Sequence, residues 1–447
     1  MFAAVLLMVA WVLVDATQRQ PLTLAGVYLG VVFFGLLAGA HALVRWRAPH
    51  ADPLILPCVG LLNGLGLVMI HRLDLAAQAG SFGSGAAAAD VGRQLAWTAV
   101  GVGGFVATLW RLRRYQWLAR YGYTFGLVGL VLLVLPGLLP ASVSQVNGAK
   151  LWLRLGPASI QPGEFAKILI IVFVAAFLVT KRELFVTAGR RILGVGFPRA
   201  RDLAPLLIGW GLSVGVLTLE RELGASLLIF GVVLGMIYVA TARVSWVLLG
   251  LVFFTAAAVT AYYLFAHVRI RVQVWENPFA DPSGTGYQVV QALLGLGTGG
   301  VGGTGLGGGR PELVPLSNAD FIIASLGEEL GLFGLAAVLV VYLMLVTRGL
   351  RAALDVRDSF GKLLAVGLSL TIGWQVFIVV GGVTNLIPDT GLATPFLSYG
   401  GSSLVANYLL AALLILISHT GRAPNQARPP PPRTPLARAA TEVVKHS

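Results

Sequence analysis

The feature that most constrains this chain is a series of long, uninterrupted apolar segments. A helix that crosses the hydrocarbon core of a bilayer needs about 20 such residues. The segments are continuous and too long for the alternating pattern of a membrane β-barrel, so helices are predicted. We therefore expect an all-α polytopic membrane protein with about 12 transmembrane helices. The apolar segments cover residues 1–15, 22–44, 53–71, 92–110, 121–139, 164–180, 204–219, 224–241, 246–266, 321–346, 361–384 and 402–419.

Composition excludes several other classes of protein. Hydrophobic residues make up 57% of the chain and charged residues 11%, against about 45–50% and about 25% in soluble domains. A soluble enzyme, a fibrous protein and a disordered chain are therefore excluded. The single cysteine, Cys58, excludes a disulfide framework and cysteine-based zinc or iron–sulfur sites. The six histidines form no metal-like cluster and no H-E-x-x-H motif, which excludes histidine-based zinc chemistry.

The basic residues predict how the chain is oriented in the membrane. With a cytoplasmic N-terminus, 22 of the 32 Lys and Arg residues fall on the cytoplasmic side. By the positive-inside rule, this indicates a multi-pass protein of the cytoplasmic membrane with both termini in the cytoplasm. The net charge of +13 then faces anionic membrane lipid, and no nucleic-acid partner is predicted. The segment 420–447, which contains four consecutive prolines, is predicted to be a disordered cytoplasmic tail.

Two long outer loops, 140–163 and 267–320, hold the candidate chemistry, since 13 of the 19 Asp and Glu residues lie on or near the outer side. Ten of the fifteen positions from Gly295 to Gly309 are glycine, and this tract matches G-x-G-x-x-G twice. Such a match is expected by chance at this glycine density, and no predicted strand precedes it. The tract therefore predicts a flexible or closely packed backbone instead of a nucleotide site.

Four acidic residues and one basic residue are candidates for function. Asp281 lies between two prolines in the second loop, where a carboxylate is usually just solvated. Glu164 and Lys167 are spaced i,i+3 in the first turn of a span and can pair. This pair is either a functional group at membrane depth or a helix-start pair that suits the helix dipole. Glu328 lies beside Glu329 in the second or third turn of a span, too deep for simple surface charges.

Two other polar pairs are given structural interpretations. Glu220 and Glu222 interrupt an apolar run, which predicts a short outer turn and not a site. Ser402 and Ser403 follow two glycines at the start of the last span. We expect these serines to cap that helix, because no histidine base lies near enough in sequence to make either a nucleophile.

Three long motifs resemble the signatures of the SEDS (shape, elongation, division, sporulation) family. They are LWLRLGPASIQPGEFAKI (151–168), the segment from NPFADPSGTGYQVVQ (277–291) through ADFIIASLGEELGLFG (319–334), and QVFIVVGGVTNLIPDTGLATPFLSYGGSSL (375–404). The resemblance implies a ten-helix core over residues 53–419, preceded by two extra transmembrane helices in residues 1–52. The chain departs from the family pattern at four places. Gly163 stands where the family's QPSE motif has its serine, and the other departures are ERELG (220–224), SNAD (317–320) and Asp389.

This resemblance implies a peptidoglycan glycosyltransferase that polymerises lipid II on the outer face of the membrane, with Asp281 as the catalytic base. Glu164 and Lys167 match the family's Q-P-S-E-x-x-K motif, and we hypothesise that Lys167 also pairs with Asp281. No cofactor is required by the resemblance, although a divalent cation such as Mg²⁺ or Mn²⁺ would help positive side chains neutralise the departing diphosphate. Those side chains are Lys167, Arg154, Arg269 and Arg271. The other substrate-binding or supporting candidates are Lys150, Trp152, Gln161, Tyr287, Gln288, Gln291, Asp320, Glu328, Glu329, Ser398, Ser402 and Ser403.

Two alternatives remain open at this point. A lipid II flippase or transporter predicts essential ionisable residues at mid-bilayer, whereas a non-catalytic scaffold predicts that Asp281 can be replaced without loss of function. The resemblance also implies a partner, a single-pass class B penicillin-binding protein that acts as a transpeptidase. The HRLDL segment (71–75) lacks the serine-rich signature of division members. That difference and the two extra helices favour a role in cell elongation, as in actinobacterial members.

Overall fold

The computed structural model of the protein describes residues 2–21, 24–78, 90–146, 149–155, 158–181, 190–192, 195–197, 211 and 222–423. Within these ranges the fold is a bundle of helices. The helices are α1 Phe2–Thr17, α2 Leu24–Arg47, α3 Ile55–Gln78, α4 Asp90–Arg111, α5 Gln116–Arg120, α6 Gly122–Leu138, α7 Ala141–Ser144, α8 Pro162–Thr180, α9 Leu223–Thr241, α10 Val244–Leu264, α11 Ala266–Glu276, α12 Tyr287–Gly299, α13 Ile322–Asp355, α14 Ser359–Val383 and α15 Gly401–Arg422.

The predicted all-α membrane fold is confirmed. Eight of these helices are long and apolar enough to cross a bilayer, and α1 and α6 are shorter apolar helices. The helix α4 also has 22 residues, but its polar side chains and glycines lower its hydropathy. Eleven of the twelve predicted spans therefore coincide with helices, and the twelfth, 204–219, lies outside the described residues apart from residue 211. The predicted disordered tail, 420–447, lies outside them from residue 424 onward, and its first three residues, 420–422, instead continue α15.

The buried fraction of each helix separates the core of the bundle from its edge. In α15, 83% of the apolar window is buried against other helices, compared with 78% in α3 and 72% in α14. The corresponding figure for α2 is 11%. Small residues allow the close approaches at the centre: a Cβ at Gly101 of α4 would lie 2.7 Å from the ring of Tyr408 in α15. The helices α3, α14 and α15 thus form the scaffold, and α2 lies at the periphery.

Both predicted outer loops contain regular structure. The first holds α7 and two antiparallel hairpins, formed by β1 Gln145–Val146 with β2 Ala149–Lys150 and by β3 Leu153–Leu155 with β4 Ala158–Ile160. The second holds α11, a 3₁₀ turn at Pro278–Ala280, α12 and a further 3₁₀ turn at Pro311–Leu313. A third hairpin pairs β5 Arg190–Ile192 with β6 Val195–Phe197.

The glycine tract packs closely against a break in α13. Gly331 interrupts this helix with φ 67° and ψ −171°. A Cβ at Gly331 would lie 2.2 Å from the backbone nitrogen of Gly303, and a Cβ at Gly303 would lie 2.3 Å from the carbonyl oxygen of Glu329. Backbone hydrogen bonds cross the same junction, from Gly305 N to Glu329 O at 2.9 Å and from Leu332 N to Gly300 O at 2.9 Å. Close backbone packing, one of the two predicted roles of the tract, is therefore observed.

Candidate active site

Asp281 lies on an exposed turn between the 3₁₀ turn and α12. One carboxylate oxygen accepts hydrogen bonds from the backbone N–H of Thr285 at 2.7 Å and from its hydroxyl at 3.1 Å. These hydrogen bonds, together with one from the Gly284 backbone, hold the pKa of Asp281 below its usual value. A Cβ at Gly286 would lie 2.2 Å from the carbonyl oxygen of Pro278, which explains a glycine at this position. The turn therefore presents an ionised carboxylate to solvent.

A buried ion pair lies at the start of α8. Pro162 occupies the first turn of this helix, where its missing N–H costs no hydrogen bond. One turn on, Lys167 Nζ lies 2.6 Å from Glu164 Oε2, and both side chains are less than a tenth exposed. Lys167 also donates to Gln375 Oε1 of α14 at 3.1 Å. Lys167 is thus paired with Glu164 and Gln375, and the hypothesised contact with Asp281 is not formed between these two described residues.

Further charged groups surround this ion pair. Glu222, at the N-terminal end of α9, is buried, and burial followed by the nearby charge of Glu164 raises its pKa to about 8. Burial and then Asp389 raise the pKa of Asp320, just before α13, to about 7. The charges of Lys167 and Arg271 act in the opposite direction on the pKa of Glu222, so all six residues belong to one electrostatic cluster. Glu222 was predicted to be only a turn residue, and Glu220 lies outside the described residues.

Arg271 anchors α11 to the segment that follows α14. Its guanidinium donates to the backbone carbonyl of Asp389 and lies 3.2 Å from the carboxylate of that residue. One turn later, Trp275 Nε1 donates to Asn385 O at 3.2 Å, and Asn385 Nδ2 donates back to Trp275 O at 3.1 Å. Because α11 leads directly into the turn that bears Asp281, these contacts fix the base of that turn. Asp389, a departure from the family pattern, is the acidic partner in this anchor.

The candidates of the first outer loop and of the last span are held by local contacts. Lys150 donates to Leu139 O at 3.3 Å, the backbone N–H of Trp152 donates to Ser144 O at 3.3 Å, and Arg154 is exposed on β3. The backbone N–H of Gln161 donates to the hydroxyl oxygen of Ser402 at 2.9 Å. This contact ties the start of α8 to the start of α15.

The predicted capping role of the two serines is wrong. Helix α15 has Gly400 at its N-cap and no side-chain capping hydrogen bond. The hydroxyl of Ser402 instead accepts from Gln161, and that of Ser403 accepts from Asn407 Nδ2 at 3.3 Å. Both serines already lie inside the first turn, whereas a capping side chain would have to belong to residue 400, two positions before Ser402. Ser398 is buried and donates to Ala319 O at 2.6 Å.

The candidates that follow Asp281 lie on α12. Tyr287 begins this helix and is 37% exposed, and its backbone N–H donates to Gly284 O at 3.2 Å. Gln288 Nε2 donates to Pro315 O at 3.1 Å, which joins the helix to the end of the second outer loop. Gln291 is half-buried one turn further along.

Glu328 and Glu329 hold the glycine tract and lie apart from the charged cluster around Lys167. Glu329 accepts from Gly307 N at 2.9 Å and from Arg72 Nε at 3.1 Å, while Glu328 accepts from Arg310 N at 2.7 Å. Arg72 also donates to Gly309 O at 2.8 Å and to Glu312 at 3.2 Å. The prediction that these glutamates are more than surface charges agrees with their burial.

Several residues of the site were not predicted, namely Arg72, Glu222, Thr285, Gln375 and Asn385. Arg72 and Gln375 meet their partners across more than 200 residues of sequence, so their spacing gave no signal. For Thr285 a weak signal existed, because an Asp side chain in a turn often accepts a hydrogen bond from backbone that follows it. Among the described residues, no group of three or more His, Cys, Asp or Glu is arranged to hold a metal ion.

Fold and site together define a polytopic helical membrane protein with an exposed loop carboxylate and a buried charged cluster between its spans. The model of the FtsW/RodA/SpoVE family, described as "Cell cycle protein", matches residues 53–423. The chain belongs to this family. The matched region begins after α2, so α1 and α2 lie outside it.

Similar proteins carry names that describe an activity. The chain is 54% identical over 445 residues to "Peptidoglycan glycosyltransferase RodA" of Mycobacterium tuberculosis, which covers 99% of this chain and 94% of the relative. It is 52% identical over 446 residues to the protein of the same name from Mycobacterium leprae, with the same coverage. A probable peptidoglycan glycosyltransferase FtsW of Trichlorobacter lovleyi is 33% identical over 379 residues, 83% of this chain and 94% of the relative.

Solved structures share the fold. A mutant of the rod shape determining protein RodA from Thermus thermophilus matches with a TM-score of 0.57 at 23% identity, covering 84% of this chain and 99% of the other. A chain from a structure described as a peptidoglycan synthase complex that coordinates polymerisation and crosslinking matches with a TM-score of 0.55 at 24% identity. It covers 89% of this chain and 98% of the other.

Proposed function

We propose that this protein is a peptidoglycan glycosyltransferase that polymerises lipid II at the outer face of the cytoplasmic membrane during cell elongation. The observation that carries the proposal is the exposed carboxylate of Asp281, held by Thr285 in the D-P-x-G-x-G-Y-Q turn. The names of the mycobacterial relatives support the class of activity.

The proposed reaction joins two lipid-linked sugars. The 4-hydroxyl oxygen of the acceptor forms a bond to the anomeric carbon of the donor, and the bond from that carbon to the polyprenyl diphosphate breaks. Asp281 takes the hydroxyl proton, and the diphosphate leaves with the bonding electrons. Because the pKa of Asp281 is low, transfer occurs as the new bond forms and the hydroxyl becomes acidic. General base catalysis of this kind contributes typically about 10²–10⁴-fold.

Arg271 is the proposed contact for the departing diphosphate. Its side chain is 35% exposed, whereas that of Lys167 is 6% exposed and paired with Glu164. Because solvent reaches Arg271, its guanidinium can exchange the carboxylate of Asp389 for a phosphate oxygen of the substrate. Stabilisation of a developing negative charge in this way is a large contribution to catalysis. Lys167 then acts within the buried cluster. Arg154 in the first outer loop and Arg269 in the second are exposed cations.

The cellular arrangement is part of the proposal. The positive-inside bias supports cytoplasmic termini and an outer position for Asp281. The partner expected from the family resemblance is a class B penicillin-binding protein, which would crosslink the strands that this protein makes. The likeness to a chain of a peptidoglycan synthase complex shows the fold, and the partnership is inferred.

A lipid II flippase is the second candidate, since the buried Glu164–Lys167 pair is the kind of intramembrane charge that transporters use. The two functions are separated by assaying the purified protein, alone and with a class B penicillin-binding protein, for conversion of lipid II to glycan strands. The same preparation in vesicles is assayed for lipid II flipping, and a chelator arm measures any dependence on Mg²⁺ or Mn²⁺.

The proposal predicts glycan ladders. If lipid II is flipped but no glycan ladders form, either with the protein alone or with the penicillin-binding protein, the protein is a transporter and not a polymerase. If neither activity is found, but the protein is required for a partner enzyme to assemble, the protein is a scaffold.

A further inference from the structure

One end of the bundle carries a concentration of arginines. They come from the last turn of α2, the end of α4, the turn that follows it and the end of α5. In the part of the chain that the structure describes, none of the six forms an ion pair with a carboxylate. The six are Arg45, Arg47, Arg111, Arg113, Arg114 and Arg120.

Exposed aromatic rings lie among these arginines. Trp46 is 65% exposed, Trp110 50% and Trp117 62%. The rings of Trp46 and Trp110 are 5.3 Å apart, and the Arg47 guanidinium lies 4.7 Å from the centre of the Trp110 ring and donates to its carbonyl at 3.0 Å. Exposed tryptophans at helix ends are typical of the boundary between lipid tails and headgroups. We name the six arginines and these three tryptophans the basic–aromatic surface.

Several other arginines of the molecule have carboxylate partners. At the same end, Arg348 and Arg422 both pair with Asp52, and Arg422 also pairs with Asp355. Toward the other end, Arg72 pairs with two glutamates and Arg271 with Asp389. The basic–aromatic surface is therefore distinguished by its combination of arginines that form no carboxylate pair in the described part of the chain with three exposed tryptophans.

We propose that the basic–aromatic surface binds the phosphate headgroup of an anionic phospholipid. Arginine forms paired hydrogen bonds to phosphate oxygens, and clusters of basic residues between helix ends attract anionic lipids. The acyl chains would lie along the membrane-facing sides of α2 and α6, where Phe34 and Leu127 are exposed. A bound lipid is favoured over an acidic protein because the tryptophans set the surface at headgroup depth. With the membrane orientation proposed above, this lipid belongs to the cytoplasmic leaflet.

The test compares two triple variants that remove the same charge from the same end of the bundle. Arg111→Gln/Arg113→Gln/Arg114→Gln acts on the basic–aromatic surface and leaves Arg47 in place. The control, Arg351→Gln/Arg357→Gln/Lys362→Gln, neutralises three exposed residues around the turn between α13 and α14. Native mass spectrometry of each purified protein, with phosphatidylglycerol or phosphatidylethanolamine added, counts the lipids retained. Thermal unfolding confirms that each variant is folded.

The proposal predicts that affinity for phosphatidylglycerol falls about tenfold or more in the first variant and is nearly unchanged in the control. Retention of phosphatidylethanolamine should be equal in the native protein and both variants. Equal losses in both variants would show a non-specific charge effect and overturn the proposal. Unchanged retention in the first variant would also overturn it, and an acidic protein would then be the better occupant. The result is independent of glycosyl transfer, so it stands or fails separately from the proposed enzyme.

Discussion

Two acidic residues of the proposed site have opposite environments. Asp281 is exposed and is held in its ionised form by hydrogen bonds from Thr285. Glu164 is buried and depends on the ammonium of Lys167, 2.6 Å away, to offset the loss of solvation. The exposed carboxylate is available to a substrate, whereas the buried one supports the bundle from which the outer loops extend.

Thr285→Val should move the acid limb of the pH–rate profile to higher pH. The hydroxyl bond favours the ionised form of Asp281 and lowers its pKa, so its loss raises that pKa and reduces the ionised fraction in acid. At pH 7 the carboxylate remains ionised, and kcat/KM should change by less than about fivefold. Polymerisation is measured from pH 4 to 8, and Thr298→Val, which removes an exposed hydroxyl from α12, is the control. An acid limb that does not move would contradict this role of Thr285.

The Glu164–Lys167 pair should show strong coupling in a double-mutant cycle. Glu164→Gln or Lys167→Met alone leaves a buried charge without its partner, and each should lower the free energy of unfolding by about 3–5 kcal/mol. The double variant should lose less than the sum, because neither charge remains. Thermal unfolding of the solubilised protein measures the effect. Additive losses would show that the two side chains act independently.

The sequence predicted this ion pair because both partners lie one turn apart on one helix. It also predicted Asp281 as the candidate base, through the family resemblance. It did not predict that Lys167 meets Gln375, or that Glu222 lies in the same cluster, because these contacts depend on how α8, α9 and α14 pack. The same limit explains the error at Ser402, whose partner is the backbone of Gln161 and not its own helix.

At the scale of elements, the junction between the glycine tract and α13 connects the second outer loop to the bundle. Backbone hydrogen bonds cross the break at Gly331, and Arg72 and Glu329 hold the tract from either side. The tract continues directly from α12, which follows the turn that bears Asp281. The junction therefore positions the far end of the segment on which Asp281 lies, while Arg271 and Asp389 position the near end.

Gly331→Ala should destabilise the protein and reduce polymerisation. Its φ of 67° disfavours a side chain, and an added Cβ would lie 2.2 Å from the backbone nitrogen of Gly303. Gly297→Ala is the control, because Gly297 lies within α12 with nothing near its Cβ position, and this change should be neutral or stabilise by up to about 1 kcal/mol. Melting temperature and polymerisation rate are measured for both variants. Equal stability of the two would contradict the close packing at the junction.

The spans were predictable as elements because each is a continuous apolar block of sufficient length. The helices inside the outer loops, α11 and α12, were not, since they are short and lie among glycines and prolines that favour irregular structure. The close packing of the glycine tract was named as one of two possibilities, but the partner surface at Gly331 lies about 30 residues away and was not foreseen.

At the scale of the whole molecule, the first helix is joined to both the core and the second outer loop. Asp15 pairs with His71 of α3 at 2.7 Å, and Trp11 stacks on the same imidazole at 4.1 Å. Gln18 donates to the carbonyl of Gly307 in the glycine tract. Although α1 lies outside the region that the family model matches, these contacts make it part of the surroundings of that loop.

The proposed orientation can be tested with single cysteines. Cys58 is the single cysteine of the chain and is buried, so Cys58→Ser gives a background without thiols. Either Ser283→Cys or Ser359→Cys is added to this background, because both serines are exposed. In intact cells a membrane-impermeant maleimide should label the first variant, and it should label the second only after permeabilisation. The reverse pattern would invert the topology and would move Asp281 to the cytoplasmic side.

The most direct test of Asp281 as the catalytic base is the rate of glycan-strand formation from lipid II by Asp281→Asn compared with the native protein. Lipid II affinity is measured on the same samples. Asparagine keeps the shape of the side chain and its hydrogen-bonding position but cannot accept a proton as a carboxylate does. If Asp281 is the base, the rate should fall about 10²–10⁴-fold with lipid II affinity nearly unchanged. A variant that keeps more than about a third of the native rate would show that Asp281 is not the base.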